Sequence, residues 1–123
     1  LGTTPRDSGD KYNYDSGGGP SRFFYCAKAC PSDQNEGLQG FKNSHPTVKP
    51  TNLMRHLVRL LCPPGGTLLD PFAGSGTTGK AAALEGLDAL LIEREAEFHK
   101  IAEARVAHAQ MQREDATFGF GGA

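Results

Sequence analysis

The chemistry in this 123-residue sequence is concentrated between Leu69 and Ala81, which read Leu-Asp-Pro-Phe-Ala-Gly-Ser-Gly-Thr-Thr-Gly-Lys-Ala. Gly74, Gly76 and Gly79 spell G-x-G-x-x-G after an apolar run and before a helical one, and Glu93 closes the next apolar run, which is the setting of a dinucleotide-binding turn. Gly74 to Lys80 also read G-x-x-x-x-G-K, a Walker A loop except that Ala81 stands where a Ser or Thr would hold magnesium. Asp70 opposes both phosphate readings. A carboxylate at the end of the preceding strand repels a pyrophosphate placed over the helix N-terminus.

An anion beside the loop suits a cationic ligand without phosphates. S-adenosylmethionine meets that description: its sulfonium and α-amino groups are positive, and glycines allow its methionine part to approach the backbone. Glu93 can accept both ribose hydroxyls, as an acidic residue does in the analogous dinucleotide site. The plain alternatives are a surface acid paired with Arg94 for Glu93, and an inert tight turn for the glycines.

These residues need a scaffold. Thr67 to Asp70 form a short β-type run, Thr77 to Glu85 favour a helix that Gly86 stops, and Asp88 to Ile92 supply a second strand ending at Glu93. A long helix is expected from about Ala96 to Gln112, with Phe98, Ile101, Ala102, Arg105 and Val106 on a mainly apolar stripe. Such a βαβα unit implies an α/β fold with a parallel sheet and right-handed crossover. Upstream, Leu53, Met54, Leu57, Val58, Leu60 and Leu61 recur at helical spacing, with Thr51 or Asn52 as N-cap, and Pro63-Pro64-Gly65-Gly66 ends that helix. Phe23 to Cys26 read as a short strand, followed by a polar loop through about Ser44. The expected organisation is a Gly/Ser-rich leader or severed loop over residues 1–20, a cofactor-binding part over 21–116 and a frayed tail over 117–123.

A net charge of -1 offers no basic face for nucleic acid, so this segment alone should hold DNA poorly. No apolar run reaches the roughly 20 residues of a membrane span, which makes a cytoplasmic protein the default. Cys26, Cys30 and Cys62 are odd in number and read as reduced thiols; Cys26 and Cys30 with His45 or His56 lack the second ligand pair that marks a zinc site.

Asp70 to Thr78 resemble the D-x-F-x-G-S-G-T signature of the DNA methyltransferases that modify exocyclic amino groups, and His45-Pro46-Thr47-Val48-Lys49-Pro50 resembles the same family's H-P-T-x-K-P motif. Arg22 to Ala29 and Ile92 to Arg94 also look like segments of that family, so the likeness runs from about Arg22 to His108. It implies a Rossmann-like fold that binds S-adenosylmethionine. Asp70, Phe72, Ala73, Gly74, Ser75, Gly76 and Thr77 would line the methionine and adenine sides, Glu93 would hold the ribose, and His45, Thr47 and Lys49 would close the pocket near the methionine carboxylate. His45 also suits a turn role. The family's catalytic motif, an Asp, Asn or Ser followed by Pro-Pro and an aromatic, is not in this sequence, whose only Pro-Pro is Pro63-Pro64.

The resemblance therefore implies the C-terminal, cofactor-binding part of a β-class enzyme of the restriction-modification kind, methylating adenine N6 ahead of cytosine N4. Catalytic and DNA-recognition residues would lie upstream, with DNA bound through that part and a complementing polypeptide or homodimer completing the enzyme. An inert or partner-binding remnant and an NAD-type dinucleotide-binding fragment are the alternatives.

Overall fold

The computed structural model describes residues 28–118. The element order is α1 (Pro31–Asn35), α2 (Thr51–Leu61), β1 (Thr67–Asp70), α3 (Thr77–Glu85), β2 (Asp88–Leu91) and α4 (Ala96–Phe118). The strands pair in parallel with Leu69 opposite Leu90 and Asp70 opposite Leu91, as a βαβ crossover requires. The pairing continues into the loop: Ile92 N–H donates to the Asp70 carbonyl at 2.9 Å, and Ala73 N–H donates to the Ile92 carbonyl at 3.0 Å.

Helix α3 is the centre of the fold, with α2 and α4 packed against it. Its side chains are small where the neighbours close in. Ala81, Ala82 and Ala83 are buried, and Val58 of α2 and Ile101, Ala102 and Ala109 of α4 complete the core. Gly79 is the tightest point, since a Cβ there would collide with Leu91 Cδ1 of β2 and stand 2.9 Å from Val106 Cγ2 of α4. We expect Gly79→Val to destabilise the protein by about 1 to 3 kcal/mol through overpacking. Thermal melts check this; an unchanged midpoint would mean that β2 and α4 yield freely.

Three boundaries differ from the sequence expectation. Pro50, not Thr51 or Asn52, holds the N-cap of α2; Thr51 is its first residue, and its N–H donates to Asp33 Oδ2 at 2.8 Å, so a carboxylate from α1 does the capping. The expected polar loop contains α1, a turn of helix begun by Pro31. Helix α4 runs past Gln112 to Phe118, because Arg113, Glu114 and Ala116 are compatible with helix and the next glycine is Gly119. The proposed strand at Phe23 to Cys26 lies outside the described residues. Pro63-Pro64 behave as the expected turn: Cys62 caps α2 through its N–H to Val58, and Gly66 N–H closes onto the Pro63 carbonyl at 2.9 Å before β1 begins.

Leu91 faces α3, so the alternation of a strand turns Leu90 and its partner Leu69 to the opposite face. Both are mostly exposed, as are Ile92 and Phe72. Among the described residues this apolar sheet face is uncovered.

Candidate cofactor site

The glycine loop leaves β1 at Asp70 and enters α3 at Thr77. Asp70 braces it at both ends: Oδ1 accepts the Phe72 N–H at 3.0 Å, and Oδ2 accepts the Thr78 hydroxyl at 2.6 Å. Gly76 caps α3 in the left-handed region at φ 74°, and a Cβ there would stand 2.7 Å from Ala102 Cβ, so only glycine allows α4 to lie against the turn. The loop is tied to β2 through Glu93, whose Oε2 accepts the Gly74 N–H at 2.7 Å and whose Oε1 accepts the Glu95 N–H at 2.9 Å. The Glu95 N–H, with help from Gly74, holds the Glu93 carboxyl below its ordinary pKa.

The H-P-T-x-K-P segment folds over this loop. His45 Nδ1 accepts the Thr47 N–H at 3.2 Å, its backbone N–H donates to Asn43 Oδ1 at 3.0 Å, and its ring meets Phe98 edge-on at 4.6 Å. A Cβ on Gly74 would come within 2.7 Å of His45 Nε2. His45 therefore shapes a turn and also roofs the loop.

A cavity of about 370 Å³ lies between that segment, α2 and the loop. Nine of the residues singled out from the sequence line it: His45, Thr47, Lys49, Asp70, Phe72, Ala73, Gly74, Ser75 and Thr77. Glu93 lies in a neighbouring cavity of about 240 Å³ between β2 and α4, with Leu91, Ala102 and Val106, and Ala73 belongs to both. Gly76 lines neither, its role being the approach of α4. Leu53, Met54, Leu57 and Thr78 complete the larger wall and were not anticipated as site residues, although the α2 stripe starting just after Lys49 carried the signal.

Beneath the loop is a buried ionic group that the motifs did not reveal. Lys80, 1% exposed, donates to Asp33 Oδ1 at 2.9 Å and Glu36 Oε2 at 2.6 Å. Asp33 also accepts from the Thr51 hydroxyl. Burial pushes the Asp33 carboxyl up, but the Thr51 and Lys80 donors outweigh it and hold it below its ordinary value; Lys80 is the leading cause of the same depression at Glu36. Arg105 is wholly buried beside this group, where burial lowers its pKa and the two carboxylates oppose that shift.

This geometry weighs against the phosphate readings. The Lys80 ammonium is turned into the protein toward Asp33 and Glu36 and does not line the loop cavity, unlike a Walker lysine. The N–H groups of Ala73, Gly74 and Gly76 are already committed to Ile92, Glu93 and Ala73, which removes three loop donors from a pyrophosphate. Among the described residues no cluster of three or more His, Cys, Asp or Glu could hold a metal; Cys26 lies outside them, and Cys30 is exposed with its thiol beside the Ser32 hydroxyl.

Comparison with known proteins supplies the class. The profile of the N6/N4 DNA methylase family matches residues 6–104, and the chain belongs to that family of DNA amino-methyltransferases. The chain is 38% identical over 69 residues to the type II methyltransferase M2.DpnII of Streptococcus pneumoniae, covering 56% of this chain and 26% of that protein. TTHA0409 of Thermus thermophilus, assigned as a DNA modification methylase and solved with S-adenosyl-L-methionine, is 34% identical, with 64% of this chain and 33% of that one covered and a TM-score of 0.49. Its selenomethionine derivative gives a TM-score of 0.48. The chain thus spans about a third or less of the length of these relatives.

Proposed function

We propose that this chain is the S-adenosylmethionine-binding part of a DNA amino-methyltransferase whose target is adenine N6 ahead of cytosine N4. The observation that carries the reading is the joining of the two motif segments around one cavity, with Glu93 in the adjoining one. The residues fit the cofactor. Lys49 offers an ammonium to its carboxylate, Asp70 sets a negative field for its cationic end, and Glu93, held by two backbone N–H groups, keeps further lone pairs for ribose hydroxyls. Bound there, S-adenosylmethionine would supply the methyl group. The base-holding residues and the DNA contacts belong to a part outside this sequence, in cis or in a complementing polypeptide, and the face of Leu69, Leu90 and Ile92, uncovered among the described residues, supports such a neighbour.

Calorimetry with S-adenosylhomocysteine, NAD and ATP tests the reading. We expect the first to bind and the other two not to. Glu93→Gln should weaken it by about tenfold, because the amide offers one acceptor where two N–H groups and the ribose compete. Dinucleotide binding in preference to S-adenosylhomocysteine would establish the NAD-type alternative, and equal affinity of wild type and a folded Glu93→Gln would remove Glu93 from the site.

A further inference from the structure

Arg105 sends its guanidinium from α4 into the underside of the glycine loop. Its Nη1 donates to the Ser75 carbonyl at 2.8 Å, to Ser75 Oγ at 3.0 Å and to Thr77 Oγ1 at 3.1 Å, and its Nη2 donates to the Asp33 carbonyl at 3.2 Å. Arg105 itself lines neither cavity of the site, whereas Ser75 and Thr77 both line the larger one. It can therefore act on a ligand only through them. A hydroxyl has a single proton and two acceptor sites, so a hydroxyl that accepts from an arginine keeps its proton for another partner. For Ser75 and Thr77 that partner can be a ligand on the cavity side.

We propose that Arg105 is the positioning residue of this site: it fixes the loop before ligand arrives and presents the Ser75 and Thr77 hydroxyls as donors to the carboxylate end of the ligand. The proposal rests on the cofactor reading given above and adds a residue that lines neither cavity. The carbonyl and the two hydroxyls share the two N–H groups of Nη1, and the rigid guanidinium fixes the direction of those N–H groups, which a flexible ammonium does less well. Cationic charge behind the hydroxyls also strengthens them as donors toward an anion. Asp33 and Glu36 balance Lys80 and Arg105, so the guanidinium stays charged without leaving the interior with a net charge.

The test compares two ligands that differ at the carboxylate: S-adenosylhomocysteine, which has one, and methylthioadenosine, which does not. Arg105→Met is expected to weaken the first by about tenfold or more, while the second changes by less than about threefold, and Arg105→Lys should recover part of the loss. Thr77→Val, which leaves Arg105 in place, should reproduce the ligand-selective loss if Arg105→Met fails to fold. Hydrogen exchange of the ligand-free protein should quicken at Gly74 to Thr77 in Arg105→Met while the central turns of α3 and α4 stay protected. That readout needs no ligand, so failure of wild type to bind S-adenosylhomocysteine would overturn the cofactor reading and the donor role, yet still decide whether Arg105 orders the loop. Equal losses for both ligands, or exchange quickening equally across α3 and α4, would make Arg105 an ordinary packing residue and overturn the proposal.

Discussion

Replacing Asp33 by alanine is expected to destabilise the protein by about 3 to 5 kcal/mol, the cost of breaking a buried ion pair from one side. Lys80 is 1% exposed and would keep only Glu36, whose side chain is 37% exposed. The same change removes the acceptor at the first N–H of α2 and the carboxylate nearest Arg105. Lys80→Met should cost less, because both carboxylates reach solvent when the ammonium is gone and the methionine fills most of its volume. The pH dependence has a defined sign. Asp33 and Glu36 are depressed in the fold below ordinary values of 3.8 and 4.5, so their contribution is fully present above those values and is lost as pH falls through the lower folded ones. Urea melts from pH 7 down to about pH 2 should show wild-type stability falling across that acid window. Asp33→Ala should begin lower and fall less steeply. A variant as stable as wild type at neutral pH would show that the cluster is held by Glu36 alone.

That cluster also marks where the sequence stopped being legible. The strands and the crossover helix could be read because each is signalled locally: Leu68 and Leu69 between Gly66 and Pro71, the alanines of α3 before Gly86, and Asp88 to Leu91 before Glu93. The glycine loop was legible for the same reason, every residue of it being contiguous. Short α1 was not, since Pro-Ser-Asp-Gln-Asn reads as a loop and its ordering depends on Asp33 reaching α2, α3 and α4. Arg105 falls on the mainly apolar stripe of α4, but nothing nearby in sequence says that its charged end is buried. Its acceptors are the Ser75 and Thr77 groups far back along the chain, which come within reach only because Gly76 lets Ala102 touch the loop. The capping of α2 follows the same rule: the local candidates were Thr51 and Asn52, and the group that caps came from α1.

The chain by itself is not expected to methylate DNA, even with saturating S-adenosylmethionine and either duplex or single-stranded substrate. Holding an amino nitrogen in line with a methyl donor can supply about 7 to 11 kcal/mol of the barrier, and that contribution requires residues that grip the base. The motif that does so in the resembling enzymes is not in this sequence; Pro63-Pro64 is followed by Gly65 and forms the turn into β1. Asp70 does not substitute, because Pro71-Phe72 follows it where that motif has Pro-Pro and an aromatic, and its carboxylate braces the loop through Phe72 and Thr78. A net charge of -1 adds a second deficit, since counterion release from few phosphates leaves DNA weakly held at physiological salt. Transfer of tritiated methyl groups to DNA is the measurement, run on the chain alone and on the chain co-folded with the part of the Streptococcus pneumoniae methyltransferase outside the matched stretch. Incorporation should be at background for the chain and measurable for the reconstituted pair, and Glu93→Gln in this chain should depress it in the pair. Strong incorporation by the chain alone, abolished by Asp70→Ala, would place the catalytic acceptor on the glycine loop itself.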